Sequence, residues 1–525
     1  MIDLTVAQIA DIVGGQLSGI SPEEAAATQV TGTVEFDSRA VTPGGLFLAL
    51  PGARSDGHDF AAAAVGAGAV AVLAARPVGV PAIVVEPGSA NDPAASVLEH
   101  DSDGSGAAVL AALARLAAAV AAELVDGGLT IVGITGSSGK TSTKDLLAAV
   151  LAPLGQVVAP PGSFNNELGH PWTVLRATES TDYLVLEMSA RRPGNIAALA
   201  EIAPPSIAVV LNVGTAHLGE FGSREAIAAT KAELPQAVPS SGVVILNVDD
   251  TAVAAMADQT AARVVRVGRS EGADVWAGPV TLDALARPRF TLHAAGPEGE
   301  AETDVALAVH GDHQVSNALC AAAVALECGA SLGQVAAALA AAGPVSKHRM
   351  EVETRDDGVT VINDAYNANP DSMRAGLKAL AWMARTKTFP SHGPTRVGPR
   401  ASRGLGTGDP PAGAGKRRSW AVLGEMAELG DDAISEHDRI GRLAVRLDVS
   451  RLIVVGTGRS MSAMHHGAVM EGSWGSESTM VADADAALAL LRAELQAGDV
   501  VLVKASNAAG LGALADALVA QDPRG

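Results

Sequence analysis

The run Ile134-Thr135-Gly136-Ser137-Ser138-Gly139-Lys140-Thr141 combines small residues, a lysine and a hydroxyl in a spacing suited to binding phosphate. Small side chains let backbone N–H groups turn inward around phosphate oxygens, and a helix that starts at Lys140 favours their negative charge. Gly136, Ser137, Ser138, Gly139 and Ser142 supply the cradle, Lys140 reaches the outer phosphates and Thr141 offers its hydroxyl to Mg²⁺. The pattern departs from G-x-x-x-x-G-K-[ST] at one place, since Ile134 stands where the first glycine belongs and the glycines are Gly133 and Gly136. A nucleoside triphosphate is the ligand this loop predicts.

Further residues fall at the same edge. Glu187 ends the apolar run Tyr183-Leu184-Val185-Leu186, and His217 follows Ile207 to Val213 through Gly214-Thr215-Ala216. Both are therefore expected at the carboxyl edge of a parallel sheet, where open α/β folds bind ligands. A carboxylate beside a triphosphate suits Mg²⁺, which prefers oxygen donors; His217 reads equally as a metal neighbour or as a histidine satisfying a local hydrogen bond. Asn247 and Asp249 follow the strand-like Val243 to Leu246 and read either as adenosine contacts or as strand-end turn residues. Gly456-Thr457-Gly458 lacks the third glycine of a dinucleotide site, with Met461 in its place, and reads as a turn.

The elements that must position these residues are short apolar strands alternating with Ala-rich helical stretches. Leu129 to Thr135 reads as a strand, and Leu147, Val150, Leu151 and Leu154 follow at helical spacing. Further strands are predicted at Val359 to Asn363, Trp420 to Gly424, Leu452 to Gly456 and Val500 to Val503. The fold class is α/β: a central, mostly parallel sheet like that of P-loop ATPases, then a Rossmann-like C-terminal domain. A chain of 525 residues exceeds one hydrophobic core, so three domains are expected. The Asp/Ser/Gly/Pro-rich Ser89 to Gly106 ends the first, and the third begins near Val345, which gives spans 1–106, 107–344 and 345–525. Phe389 to Arg418, rich in Pro, Gly, Ser and Arg, reads as a mobile surface loop between the helical Ala375 to Ala384 and the following strand.

Composition limits the partners. Hydrophobic residues are 48% but aromatics only 3%, so Ala, Val, Leu and Ile must build the cores. A formal net charge of −21 opposes nonspecific binding to nucleic acid or an acidic membrane, and an anionic substrate then needs local basic residues. Cys320 and Cys328 lie in an Ala-rich helical stretch and read as small core residues in a reducing cytoplasm. The N-terminus lacks a signal-peptide pattern, and Ala107 to Ala122, interrupted by Arg115, reads as too short to span a bilayer; membrane insertion is not expected.

Taken in order, Gly136 to Thr143, Asn165-Asn166-Glu167-Leu168-Gly169, Asn212 to Leu218, Gly311-Asp312-His313-Gln314-Val315-Ser316-Asn317-Ala318-Leu319 and His348-Arg349-Met350 resemble the Mur ligases, the ATP-dependent amide-forming family of peptidoglycan synthesis. The resemblance covers nearly the whole chain. It implies that Thr141, Glu187 and His217 surround Mg²⁺, and that Lys231 is the lysine which that family modifies with CO₂ to a carbamate. On residue type alone Lys231 would pass for a solvated helical lysine. Arg349 and Asp364 are implied to grip ATP from the third domain, with Lys140, His217 and Lys231 as the catalytic group.

Phe36-Asp37-Ser38-Arg39 and Asp56-Gly57-His58-Asp59-Phe60 resemble the family's UDP-binding domain, which points to Ser38 and Arg39, with Asn165, Asn166 and Ser189, for the UDP-substrate. Asp364-Ala365-Tyr366-Asn367-Ala368-Asn369-Pro370 and Leu423-Gly424-Glu425-Met426-Ala427-Glu428 resemble the branch that adds D-alanyl-D-alanine to a UDP-N-acetylmuramoyl-tripeptide. Tyr366 and Lys504 are the implied dipeptide contacts, although Asn507 stands where that branch commonly has arginine, and Ser189-Ala190-Arg191-Arg192 departs from its usual glycine-containing run. The expectation is a cytoplasmic monomer using ATP and Mg²⁺. A folylpolyglutamate synthase would lack the UDP-domain signature, and a nucleotide-driven switch would hydrolyse ATP without joining two substrates.

Overall fold

Aliphatic runs such as Val132–Ile134 and Val500–Val503 bury both faces, which suits parallel strands covered by helices on either side. The computed structural model describes residues 1–52, 55–87, 101–214, 218–296, 299–386, 417–472 and 477–520. His217 and residues 88–100 and 387–416, which include most of the two punctuating stretches, lie outside the described residues.

Three main sheets organise the chain. The N-terminal sheet runs Gln16–Ser18, Ala82–Val84, Ala69–Ala74, Gly45–Leu48, Val34–Glu35, parallel except for its first pair. In the central sheet, Val157–Val158, Tyr183–Glu187, Thr130–Thr135, Ile207–Val210, Val243–Asn247, Arg263–Gly268 and Val275–Ala277 are parallel neighbours. Beyond them the sheet turns antiparallel through Pro288–Gly296, to which Thr281–Leu282 and Gly299–Ala306 also pair. The C-terminal sheet runs Glu351–Thr354, Thr360–Asn363, Val500–Lys504, Ser419–Leu423, Arg451–Val455, Ser478–Val481, with only the first pair antiparallel.

Register decides what meets at the carboxyl edge. Glu187 pairs with Ile134 and Val210 with Thr135, so the phosphate loop, Glu187 and the segment after Val210 emerge side by side. The strand expected over Ile207 to Val213 stops at Val210, and Leu211 to Gly214 is an irregular continuation that reaches the loop.

The apolar helix is longer than the sequence suggested. It covers Ser105–Asp126, 22 residues, and so has the length and composition of a bilayer span. Here Val109, Leu113, Leu116 and Val120 are buried, the helix packs on Val6–Val13, Gly169–Val174 and Asn195–Ile202, and Arg115 Nη2 donates to Val13 O at 2.7 Å. It is the helix that joins the N-terminal core to the central one. Cys320 is fully buried and Cys328 partly so; neither forms a disulfide.

Candidate active site

The phosphate loop leaves the strand Thr130–Thr135 and enters the helix Lys140–Leu151 through Gly139, whose φ of +86° lies in the left-handed region. The φ itself calls for glycine, and a Cβ there would come within 2.7 Å of Asn317 Oδ1, so the Asn317 side chain would also have to shift. Asn212 holds the loop: its carbonyl accepts from Ser137 N (3.1 Å), its Oδ1 from Ser138 N (3.0 Å), and its Nδ2 donates to Ser138 O (3.1 Å). Gly214 N donates to Ser137 Oγ at 2.9 Å, and Lys140 Nζ folds back to Gly136 O at 2.6 Å. Burial depresses the Lys140 amine, opposed by the field of Glu187.

Glu187 is wholly buried at the end of its strand. Its Oε2 accepts from Thr141 Oγ1 (3.3 Å), Ser163 Oγ (3.2 Å) and Asn165 Nδ2 (3.4 Å), while Oε1 has no hydrogen-bond partner among the described residues. A buried carboxylate oxygen left open beside the phosphate loop is suited to a hard cation. Lys231, on the helix Arg224–Ala237, is also buried; desolvation, then the nearby charge of Lys140, pushes its amine far below the ordinary lysine range.

The third domain closes over this edge. Asn369 caps the helix Pro370–Arg385 by accepting from Ser372 N at 2.8 Å, and its Nδ2 reaches Ser137 O at 3.4 Å. Between the domains lies a cleft of about 950 Å³, lined by Ser137 to Ser142, Asn165, Asn166, Ser189 and Asn247 on the central side and by Arg349, Asp364, Tyr366 and Lys504 on the other. Arg349 sits between His348 (φ +58°) and Met350 (φ +53°), and its guanidinium lies 4.2 Å from the Tyr366 ring centroid. Asp364 and Lys504, expected at different ligands, form one buried ion pair of 2.6 Å, and Lys504 Nζ also donates to Asn367 O at 2.9 Å. Asn247 Nδ2 donates to Leu211 O at 2.9 Å, so its side chain braces the strand end it lines.

Ser38 and Arg39 are not in this cleft. They lie in the turn after Val34–Glu35, where Arg39 is 88% exposed and pairs with Asp37 at 2.7 Å, an interaction that draws the Asp37 carboxyl down to about 2. The turn is nevertheless tied to the central domain. Trp172 Nε1 donates to Val34 O at 2.8 Å, and the Trp172 ring packs against Phe36 (5.8 Å between centroids) and Phe164 (4.6 Å), next to Asn165.

Ser163, Asn212, Asn317 and Asn369 escaped the sequence-based site. Asn212, Asn317 and Asn369 lie inside recognised motifs, so their positions were marked but their roles were not. Ser163 gives no signal, because only the fold brings it to Glu187.

The chain matches three family models: Mur ligase family, catalytic domain, over residues 32–119; Mur ligase middle domain over 134–325; and Mur ligase, glutamate ligase domain, over 348–389 and 411–507. It is 74% identical to the UDP-N-acetylmuramoyl-tripeptide–D-alanyl-D-alanine ligase of Mycobacterium tuberculosis, over 100% of this chain and 99% of that protein. The Escherichia coli protein of the same description is 30% identical over 87% of this chain and 86% of its own length. Among solved structures, MurF from Acinetobacter baumannii superposes with a TM-score of 0.77 at 27% identity, covering 99% of both chains. MurF ligase from Thermotoga maritima in complex with ADP gives 0.68 at 26% identity, covering 93% of this chain and 99% of that one. With this fold, this phosphate loop and these matches, the chain belongs to the Mur ligase family.

Proposed function

We propose that the protein joins D-alanyl-D-alanine to a UDP-N-acetylmuramoyl-tripeptide, with ATP converted to ADP and phosphate. The observation that carries this is one cleft in which a phosphate loop and a buried carboxylate face a third domain bearing Arg349, Asp364 and Tyr366. The 74% identity to a ligase of that description supports the choice of substrates.

A carboxylate at neutral pH has no leaving group, so it must first be activated. In the proposed sequence the terminal carboxylate oxygen of the tripeptide attacks the γ-phosphorus of ATP, breaking its bond to the bridging oxygen of ADP. The acyl phosphate then accepts the neutral amine of the dipeptide at its carbonyl carbon, and the tetrahedral intermediate expels phosphate as its nitrogen gives up a proton to solvent. Lys140 and the N–H groups of Gly136 to Thr141 hold the transferring phosphoryl group, and Ser142 extends the cradle. Arg349, Asp364 and Asn247 orient the nucleotide; Ser38, Arg39, Asn165, Asn166 and Ser189 bind the UDP-substrate; Tyr366 and Lys504 shape the dipeptide side.

The donor set fits Mg²⁺, because Glu187 Oε1 is buried without a partner among the described residues and Thr141 Oγ1 lies against the same carboxylate. Thr141, Glu187, His217 and a Lys231 carbamate would hold the ion, which when bound offsets charge on the phosphoryl oxygens. We assign residues 1–106 to the UDP-substrate, 107–344 to ATP, and 345–525 to ATP and the dipeptide, in a monomer acting in the cytoplasm. Incubation of the protein with ATP, Mg²⁺ and both substrates should yield the UDP-muramoyl-pentapeptide and ADP by mass spectrometry. Folded protein that binds ATP but makes no pentapeptide would contradict the assignment.

A further inference from the structure

Lys140, Arg191, Arg224, Arg349 and Lys504 are the lysines and arginines that line the cleft among the described residues. Four of them are engaged away from the dipeptide side or by partners on their own wall of the cleft. Lys140 closes on Gly136 O, Arg349 lies over Tyr366, Lys504 is paired to Asp364, and Arg224 donates from Nε to Val213 O at 2.9 Å beside Asp250. Arg191 differs in both its support and its direction.

Asn195 Oδ1 accepts from the backbone N–H groups of Arg191 (3.1 Å) and Arg192 (3.0 Å), which fixes the turn that follows Glu187. From there the Arg191 side chain, 43% exposed, crosses the cleft to Glu428 of the third domain, with Nη2 to Oε1 at 2.9 Å. Glu428 has a φ of +64°, a left-handed conformation unusual for a non-glycine residue. Its turn is clamped: Ala427 N donates to Ser506 Oγ and Ser506 N to Glu425 O, each at 2.9 Å, next to Asn507, which also lines the cleft. A half-exposed ion pair does little to hold two domains together. The strained, clamped backbone is better explained as presenting a counter-ion to a guanidinium that must stay aimed into the cleft.

We infer that Arg191 binds the C-terminal carboxylate of the incoming dipeptide, with Glu428 holding the guanidinium in place until that carboxylate arrives. A planar guanidinium takes a carboxylate through two parallel N–H donors, and neutral Asn507 supplies no competing cation on the opposite wall. This assignment rests on the ligase function proposed above.

Steady-state kinetics of the full-length protein with D-alanyl-D-alanine and with its C-terminal amide test it. The unaltered protein should prefer the free acid by about tenfold or more in kcat/KM, as expected when one charge-assisted contact is lost. Arg191→Gln should erase that preference by raising KM for the dipeptide about tenfold, with KM for ATP and for the UDP-tripeptide changed less than about twofold. Arg191→Lys should recover part of the preference, and Glu428→Gln, which loosens the guanidinium without removing it, should reduce the preference by less than Arg191→Gln does. The assignment is overturned if folded Arg191→Gln still prefers the acid, or if its KM rises for the UDP-tripeptide instead. It is also overturned if Glu428→Gln reproduces the loss for every substrate, which would make the pair a domain latch. Absence of pentapeptide from the unaltered protein with either amine would refute the ligase function itself.

Discussion

Lys231 shows how far burial can change a residue's chemistry. Burial, and then the nearby charge of Lys140, lowers the pKa of its amine well below the ordinary lysine range, which favours the neutral form that can add to CO₂. The carbamate would turn a lysine into an anion able to face a metal. Lys231→Ala should therefore lower kcat by about 10²-fold, as loss of a metal-orienting group does, with partial recovery on adding formate or acetate. Full activity in that variant would exclude the role. Ala229-Thr230-Lys231-Ala232-Glu233 by itself describes an ordinary exposed helix, so this residue was legible only through family resemblance. Its burial depends on contacts distant in sequence. Glu187 was legible from the sequence alone, because a carboxylate that ends an apolar strand must emerge at the ligand edge. Arg191 was noticed only as a departure from pattern, since its partner Glu428 is on another domain.

At the scale of elements, the helix Gly169–Val174 contains a histidine, His170, whose two ring nitrogens are buried without hydrogen-bond partners among the described residues. Burial lowers its pKa from 6.5 to about 4. On acidification the unfolded chain is protonated first, so this contribution to stability is complete above pH 6.5 and is lost as the pH falls towards 4. In urea titrations, His170→Leu should reduce the stability difference between pH 7 and pH 4 by on the order of 3 kcal/mol. An unchanged difference would mean that the ring is solvated. Gly139→Ala places a side chain both at φ +86° and against Asn317. With about 1–2 kcal/mol of strain at such a φ, ATP affinity measured by calorimetry should fall about tenfold or more. The parallel strands were legible as aliphatic runs, but Gly299–Ala306 was not. Its sequence Gly-Glu-Ala-Glu-Thr-Asp-Val-Ala is mostly exposed and takes its conformation from pairing with Pro288–Gly296.

For the molecule as a whole, the proposed assignment draws three substrates from different domains, and several contacts join the central and third domains. Besides Asn369 with Ser137 O, Ser346 N donates to Asp145 Oδ2 at 3.1 Å and Trp382 Nε1 to Asp283 O at 2.8 Å. Domain closure during turnover is the behaviour this proposed division predicts. Small-angle scattering should show compaction when nucleotide and UDP-tripeptide are both added, and Asn369→Ala should weaken it while costing about 1 kcal/mol of stability through the lost helix cap. No change in radius on adding ligands would count against closure. The central claim is that the cleft activates a carboxylate by phosphoryl transfer and then forms an amide. Its most direct test is isotope transfer: UDP-muramoyl-tripeptide labelled with ¹⁸O in its terminal carboxylate is turned over with ATP and D-alanyl-D-alanine, and the inorganic phosphate is weighed by mass spectrometry. The expected result is one ¹⁸O in the phosphate for each pentapeptide made. Unlabelled phosphate, or ATP hydrolysis with no pentapeptide, would contradict it.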